Sequence, residues 1–302
     1  MKKVSIVFNL YQPKKDLIIK ILSSLDSQVY SDSIELIIIN KKIDQVCLDL
    51  IESFRKKFKN IEVKIKKVNE NLSFASSMNE GLKLVDSEIV IVLQQDCIPE
   101  NNLWLNNLTA PFEDKNVVAT ISKVRFPNVL WKRLNFFAKT IMLREQGTIT
   151  PLLDEKACAY RIKALKKIGF FNEKDFHTAG EDFDMYIKLK KLGKLEYPNA
   201  TIIHYHPTDF RSRLAKIEQY ANGFGTLVKI HRTRMPHWYV GFLKATPLIG
   251  IVAFLLSYPL KKGFNFYLSY LILMPLMHFL YFKGFWKGYL AGKQSIDVFK
   301  KK

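Results

Sequence analysis

Residues 88–99 read Glu88-Ile89-Val90-Ile91-Val92-Leu93-Gln94-Gln95-Asp96-Cys97-Ile98-Pro99. The apolar run at its centre is mostly β-branched, which predicts a strand buried on both faces, the habit of a central parallel strand. Such a strand should end in neutral residues. This one ends in two amides and an acid, and a proline closes it. An acid at the carboxyl end of a central strand stands where open α/β sheets bind their ligands. The competing reading is that Asp96 only opens a turn ahead of Pro99.

Upstream, strand and helix patterns alternate. Residues 4–10 and 34–39 read as strands, the second ending in Asn40. Residues 61–68 read as a third, whose alternating lysines mark a sheet edge. Between the first two, Leu17, Ile18, Ile21, Leu22 and Leu25 have the spacing of an amphipathic helix. Residues 44–58 and 71–85 predict two more helices, the last capped at Asn71 or Ser73. This order predicts an α/β fold with a mostly parallel sheet, right-handed crossovers and a ligand at its carboxyl edge. No glycine-rich phosphate loop follows the first strand, which weighs against dinucleotide or P-loop binding.

Downstream come a helix around Trp104-Leu105 and a strand over residues 117–122. Residues 130–144 place Leu130, Leu134, Phe137 and Ile141 on one helical face, with Lys132, Arg133, Lys139 and Arg144 largely off it. Such a helix either lies in a membrane interface or packs on the sheet. Residues 179–184, Ala179-Gly180-Glu181-Asp182-Phe183-Asp184, set three carboxylates in four positions. At the start of a helix over about residues 182–192 the dipole favours them, so a purely structural role competes with a reactive one. Residues 195–206 predict a short strand ending in His204 and His206, which project to the same side. A neutral imidazole there can contact a metal–phosphate unit.

Taken in order, Val4-Ser5-Ile6-Val7, Ser24-Leu25-Asp26-Ser27-Gln28, Asn71-Leu72-Ser73-Phe74-Ala75 with Asn79-Glu80-Gly81, the stretch ending Gln94-Gln95-Asp96, and Glu181-Asp182-Phe183-Asp184 resemble glycosyltransferase family 2 over roughly residues 4–206. The resemblance implies a GT-A-like, Rossmann-type sheet flanked by helices, and inverting transfer of a sugar from a nucleotide diphosphate donor. It implies that Asp96 holds a divalent cation, Mg²⁺ or Mn²⁺, on the donor diphosphate, with His204 as a further contact. It also implies Asp182 as general base, with Glu181 and Asp184 orienting the site or binding acceptor hydroxyls. Asn9, Tyr11, Asn40, Asn71, Asn79 and Gln95 are the candidate donor contacts.

Two departures stand out. Gln94 occupies the first position of the family's Asp-x-Asp, a form similar to that of bacterial rhamnosyltransferase-like members. Asn40-Lys41-Lys42 stands where relatives commonly carry acids that contact the nucleoside. One carboxylate plus the diphosphate can suffice for a cation that keeps several waters.

The 302 residues, 48% hydrophobic, allow one large domain and an appendage. Cys47, Cys97 and Cys158 are widely spaced, lack metal-ligand spacing and predict reduced thiols in a cytosolic compartment. The first apolar run is too short for a signal peptide. The net charge is +19, and from His204 onward fifteen Lys or Arg face three acids. The same third carries residues 245–260, without a charge, and residues 263–282, with His278 the one side chain that ionises near neutral pH. Cations flanking apolar runs point to an anionic membrane surface rather than to nucleic acid, for which no binding signature is present. The second run is long enough to span a bilayer, and the first is marginal. Re-entrant or interfacial helices, and a buried soluble bundle, are the alternatives to a hairpin.

The expected division is a catalytic region over residues 1–206, its nucleotide-sugar half ending near 99 and its acceptor half running from about 100. Basic connecting helices over 207–236 and a membrane-associated region with a basic tail over 237–302 follow. The expected function is a membrane-attached inverting glycosyltransferase on the cytoplasmic face of the cell membrane, serving cell-surface glycan synthesis through a lipid-linked or polysaccharide acceptor. Transfer onto polyprenyl phosphate, as in dolichol-phosphate mannose synthase-like proteins, is one alternative. A non-catalytic sugar- or lipid-binding relative, favoured by Gln94, is the other.

Overall fold

The computed structural model describes residues 3–177, 179–205, 209–235 and 237–294. Strand β1 (Val4–Tyr11) leads to α1 (Lys15–Asp26), β2 (Ile34–Lys42), α2 (Gln45–Lys57), β3 (Ile61–Lys67), α3 (Phe74–Leu82) and β4 (Ile89–Gln94), the predicted alternation. Local chemistry sets the helix starts. The Asp44 carboxylate accepts the Cys47 N–H at 2.7 Å and the Ser73 hydroxyl accepts the Ser76 N–H at 3.0 Å, so α2 and α3 begin at capped positions.

The chain continues through β5 (Cys97–Pro99), α4 (Trp104–Thr109), β6 (Val117–Ile121), β7 (Lys123–Arg125), α5 (Asn128–Arg133) and α6 (Phe136–Met142). Next are β8 (Thr148–Ile149), β9 (Ala157–Arg161), α7 (Ile162–Ile168), α8 (Glu181–Leu189), β10 (Lys194–Glu196) and β11 (Thr201–His204). Among the described residues there follow α9 (Phe210–His231), α10 (Trp238–Lys244), α11 (Ile249–Leu256), α12 (Leu260–Gly263) and α13 (Tyr267–Ala291).

These elements form two compact units. The first takes the chain up to Arg125 with Thr148–Phe171 and Met185–Tyr205. The second takes Phe126–Gly147, Asn172–Asp184 and the chain beyond Tyr205, so the division falls inside α8.

The first unit holds a seven-stranded sheet in the order β10-β6-β9-β4-β1-β2-β3. Strands β1 to β4 are parallel where they pair, whereas β9 runs antiparallel to both β4 and β6. Strand β4 is central and its apolar run is buried, while the lysine-bearing β3 forms the edge. Ile6, Phe8, Leu36, Ile38, Ile91 and Leu93 pack with Ile18, Ile21 and Leu22 of α1. Burial of each such side chain contributes about 1.5–3 kcal/mol. A four-stranded sheet, β5-β11-β7-β8, belongs to the same unit. The three cysteines are free and buried.

The second unit is helical. Helices α9 and α13 approach until backbones touch. A methyl at Gly284 would lie 2.3 Å from the Glu218 carbonyl oxygen, and one at Gly288 would lie 2.0 Å from that of Asn222. Small residues four apart, packed this closely, are the device of helix pairs in membranes. Among the described residues, Phe264–Ala291 is the helix long and apolar enough to cross a membrane.

One expectation is corrected here. Residues 130–144 are not one amphipathic helix. Leu134 is extended, and Asn135 starts α6 afresh by accepting the Ala138 N–H at 2.8 Å. Leu134, Ala138 and Met142 are packed with Phe126, while Phe136 and Phe137 stay exposed. Residues 245–260 hold the eight-residue α11, bent by 117° from α10, the geometry of a broken span or a re-entrant pair. Pro247 and Pro259 flank α11, and proline supplies no N–H to carry the helix across either boundary.

Candidate active site

Parallel pairing brings the carboxyl ends of β1, β2 and β4 to one sheet edge. Asn9 lies opposite both Ile39 and Gln94, and Leu10 lies opposite Asn40. Gln95 ties two of these ends together, accepting the Tyr11 N–H at 2.8 Å and donating to the Tyr11 carbonyl at 3.1 Å. Asn9 is buried and donates to the Ser77 hydroxyl at 2.8 Å, while its own Oδ1 is buried without a hydrogen-bond partner among the described residues. Asn40 accepts the Ile43 N–H at 3.0 Å. The Tyr11 ring is 44% exposed, with the Lys41 ammonium 5.1 Å from its centroid. Lys41 also donates to the Leu72 carbonyl at 2.6 Å, and burial lowers its pKa. Lys42 pairs with Glu70 at 2.9 Å. The edge therefore carries cations where family acids were expected.

The other two candidate donor contacts are Asn71 and Asn79. Asn71 is exposed in the turn before α3. Asn79 is 4% exposed and exchanges both amide hydrogen bonds with the Phe171 backbone, at 2.9 and 3.0 Å. Its amide is committed to holding the chain.

Asp96 follows β4, and the antiparallel pairing of β5 with β11 sets His204 opposite Cys97. That register carries His204 to Asp96 across more than a hundred residues of sequence, with His204 Nε2 3.2 Å from Asp96 Oδ2. The imidazole is buried, whereas the carboxylate is 26% exposed. Burial lowers the His204 pKa against the opposing pull of Asp96, which leaves a neutral ring with a lone pair. The Cys97 thiol lies within 4.8 Å of both donor atoms. Burial first, and the Asp96 charge next, push its pKa well up, so it stays protonated. One carboxylate oxygen and one neutral imidazole nitrogen are a donor set that a divalent cation takes together with phosphate oxygens and water, so the residues fit.

Position 94 has a carboxylate beside it after all. Gln94 Nε2 donates to Glu155 Oε1 at 2.9 Å. Glu155 lies ahead of β9, whose Ala157 pairs with Leu93 of β4. Sequence reading missed it because no motif surrounds it; the one signal was an acidic pair, Asp154-Glu155, entering a strand. Restoring the family acid with Gln94→Asp is therefore expected to destabilise the metal-free protein. It replaces a hydrogen bond to a charged group with two facing carboxylates, a loss of about 1–3 kcal/mol. Thermal unfolding in EDTA should show the drop, and adding Glu155→Gln should reverse it.

Glu181, Asp182 and Asp184 form the first turn of α8 and lie in the helical unit. Gly180 precedes them at φ +97°, a conformation glycine adopts freely, and its carbonyl accepts the Asp184 N–H at 2.9 Å. A methyl on Gly223 of α9 would lie 2.3 Å from the Ala179 carbonyl oxygen, so α9 presses directly on this turn. The three acids differ in exposure. Glu181 is 1% and Asp184 0% exposed, whereas Asp182 is half-buried. Asp184 Oδ1 lies 2.6 Å from His231 Nε2 of α9. Burial keeps the Glu181 and Asp184 side chains from solvent. His206 lies outside the described residues.

Comparison with known proteins agrees with this architecture. The family model for glycosyl transferase family 2 matches residues 5–169, and that for glycosyl transferase family group 2 matches residues 111–286. A dolichyl N-acetyl-alpha-D-glucosaminyl phosphate 3-beta-D-2,3-diacetamido-2,3-dideoxy-beta-D-glucuronosyltransferase of Methanococcus voltae is 22% identical over 98% of this chain and 99% of its own. The mannosyltransferase PcManGT of Pyrobaculum calidifontis, solved with GDP-Man and Mn²⁺, superposes with a TM-score of 0.65 at 12% identity, covering 100% of this chain and 88% of its own. Residues 1–349 of S. aureus TarS superpose with a TM-score of 0.51 at 17% identity, covering 96% and 90%. The chain belongs to glycosyltransferase family 2.

Proposed function

We propose that this glycosyltransferase is inverting and cation-assisted, and that it moves a sugar from a nucleotide diphosphate donor to a lipid-linked acceptor at a membrane surface. The observation that carries the reading is the Asp96–His204 pair at the carboxyl edge of β4. Support comes from the Methanococcus relative, whose name describes transfer to a dolichyl phosphate-linked sugar, and from PcManGT, solved with GDP-Man and Mn²⁺. Asp96 and His204 would hold Mg²⁺ or Mn²⁺, which offsets charge on the departing diphosphate. The exposed Tyr11 ring would take the base, and the Lys41 and Lys42 side would face negative charge. Asp182 would take the proton of the acceptor hydroxyl as its oxygen attacks the anomeric carbon opposite the leaving group.

In this reading residues 1–206 carry the chemistry, 207–236 connect, and 237–302 attach the protein to the cytoplasmic face of the membrane. Leu268, Ile272 and Phe279 of α13 are 70%, 65% and 60% exposed, the apolar face a lipid contact requires.

Calorimetry on detergent-purified protein tests the donor half. UDP, GDP and dTDP would be titrated with and without Mn²⁺, beside Asp96→Ala. One nucleotide should bind in the presence of metal, and the variant should lose that metal dependence. Equal binding with and without metal would overturn the cation assignment.

A further inference from the structure

The helical unit contains a cavity of about 440 Å³, within the size range of small-molecule sites. Phe254, Tyr258, Tyr270 and Tyr281 supply an aromatic wall. The hydroxyls of Tyr258 and Tyr270 are already occupied, donating to the carbonyls of Gly263 and Phe254, so these residues offer a ligand mainly their rings. Two cations also line the cavity, Arg144 just beyond α6 and Lys244 at the end of α10. The Lys244 ammonium lies 5.8 Å from the Phe254 ring centroid, and the Arg144 guanidinium donates to the Ser257 carbonyl. Both line the one cavity, and no Asp or Glu is among the described residues of the lining. Like charges on a largely apolar wall are costly unless an anion completes the site.

We propose that this cavity seats a lipid phosphate, its anionic head between Arg144 and Lys244 and its hydrocarbon chain along the aromatic wall. The head could belong to a monophosphate or a diphosphate. Inorganic phosphate has no use for four aromatic rings, and an uncharged lipid has none for two cations. The outer surface of the same unit favours a lipid too, since Leu248 and Leu256, at the ends of α11, are 78% and 82% exposed. The assignment rests on the lipid-linked acceptor reading above and names the side chains that would hold that acceptor.

The test uses the full chain in detergent, with farnesyl phosphate as probe and farnesol and inorganic phosphate as controls. Farnesyl phosphate should bind, farnesol should bind at least tenfold more weakly, and inorganic phosphate should not compete. Arg144→Ala and Lys244→Ala should each weaken farnesyl phosphate about tenfold, the loss expected for one contact to a charged group. Lys244→Arg should keep most of the affinity, and nucleoside diphosphate binding should be unchanged in every variant. Equal affinity for farnesol, or variants that bind as wild type does, would overturn the proposal. Competition by inorganic phosphate would overturn it in favour of a plain anion site. Lost nucleotide binding with intact lipid binding would instead count against the donor reading.

Discussion

Asp182→Asn is expected to lower kcat by roughly 10²–10⁴-fold, the range for loss of a positioned general base. The amide keeps the size of the side chain but cannot accept the hydroxyl proton. Affinity for the nucleotide and for Mn²⁺ should stay within about twofold, because no donor contact depends on this side chain in the proposed reading. Steady-state kinetics beside calorimetry separate the two quantities. The resemblance implies Asp182 as the base, and its exposure is consistent with that role. Glu181 and Asp184 are almost fully buried, and a base must reach a substrate hydroxyl. A fall in kcat of less than tenfold, with full nucleotide affinity, would remove Asp182 from the chemistry.

The sheet was legible because its periodicities are strong and local. Residues 89–93 could hardly be anything but a buried strand, and the lysines of residues 61–67 could only face solvent along an edge. Asp96 was legible for the same reason, since the end of a central parallel strand is a position fixed by the alternation itself. What escaped reading depends on pairing between distant segments. Glu155 acquires meaning only because β9 runs antiparallel to β4 and brings it to Gln94. His231 carries no motif and becomes significant because glycines let α9 close on the turn before α8. Asn79 shows the converse, a motif residue whose amide is taken by the backbone of Phe171. The apolar runs near the C-terminus marked helices without fixing their lengths, because Pro247 and Pro259 cut what composition alone would join.

The contact between Asp184 and His231 separates structural acids from reactive ones. Asp184 is 0% and His231 8% exposed, with 2.6 Å between carboxylate and imidazole. Removing either partner takes one hydrogen-bonding atom away from the other, which stays buried. His231→Ala is expected to cost about 1–3 kcal/mol, the range for a buried polar group that loses a hydrogen-bond partner. That corresponds to a fall of about 2–5 °C in Tm for a protein of this size. Asp184→Leu with His231→Leu should recover much of the stability, since an apolar pair of similar volume avoids burying unmatched polarity. Activity should not return with it. Asp182 sits two residues from Asp184 on the same helical turn, and its direction depends on how α9 grips that turn. A double variant that regains both Tm and kcat would make the pair mere packing. One that regains Tm alone would make it the device that orients the base.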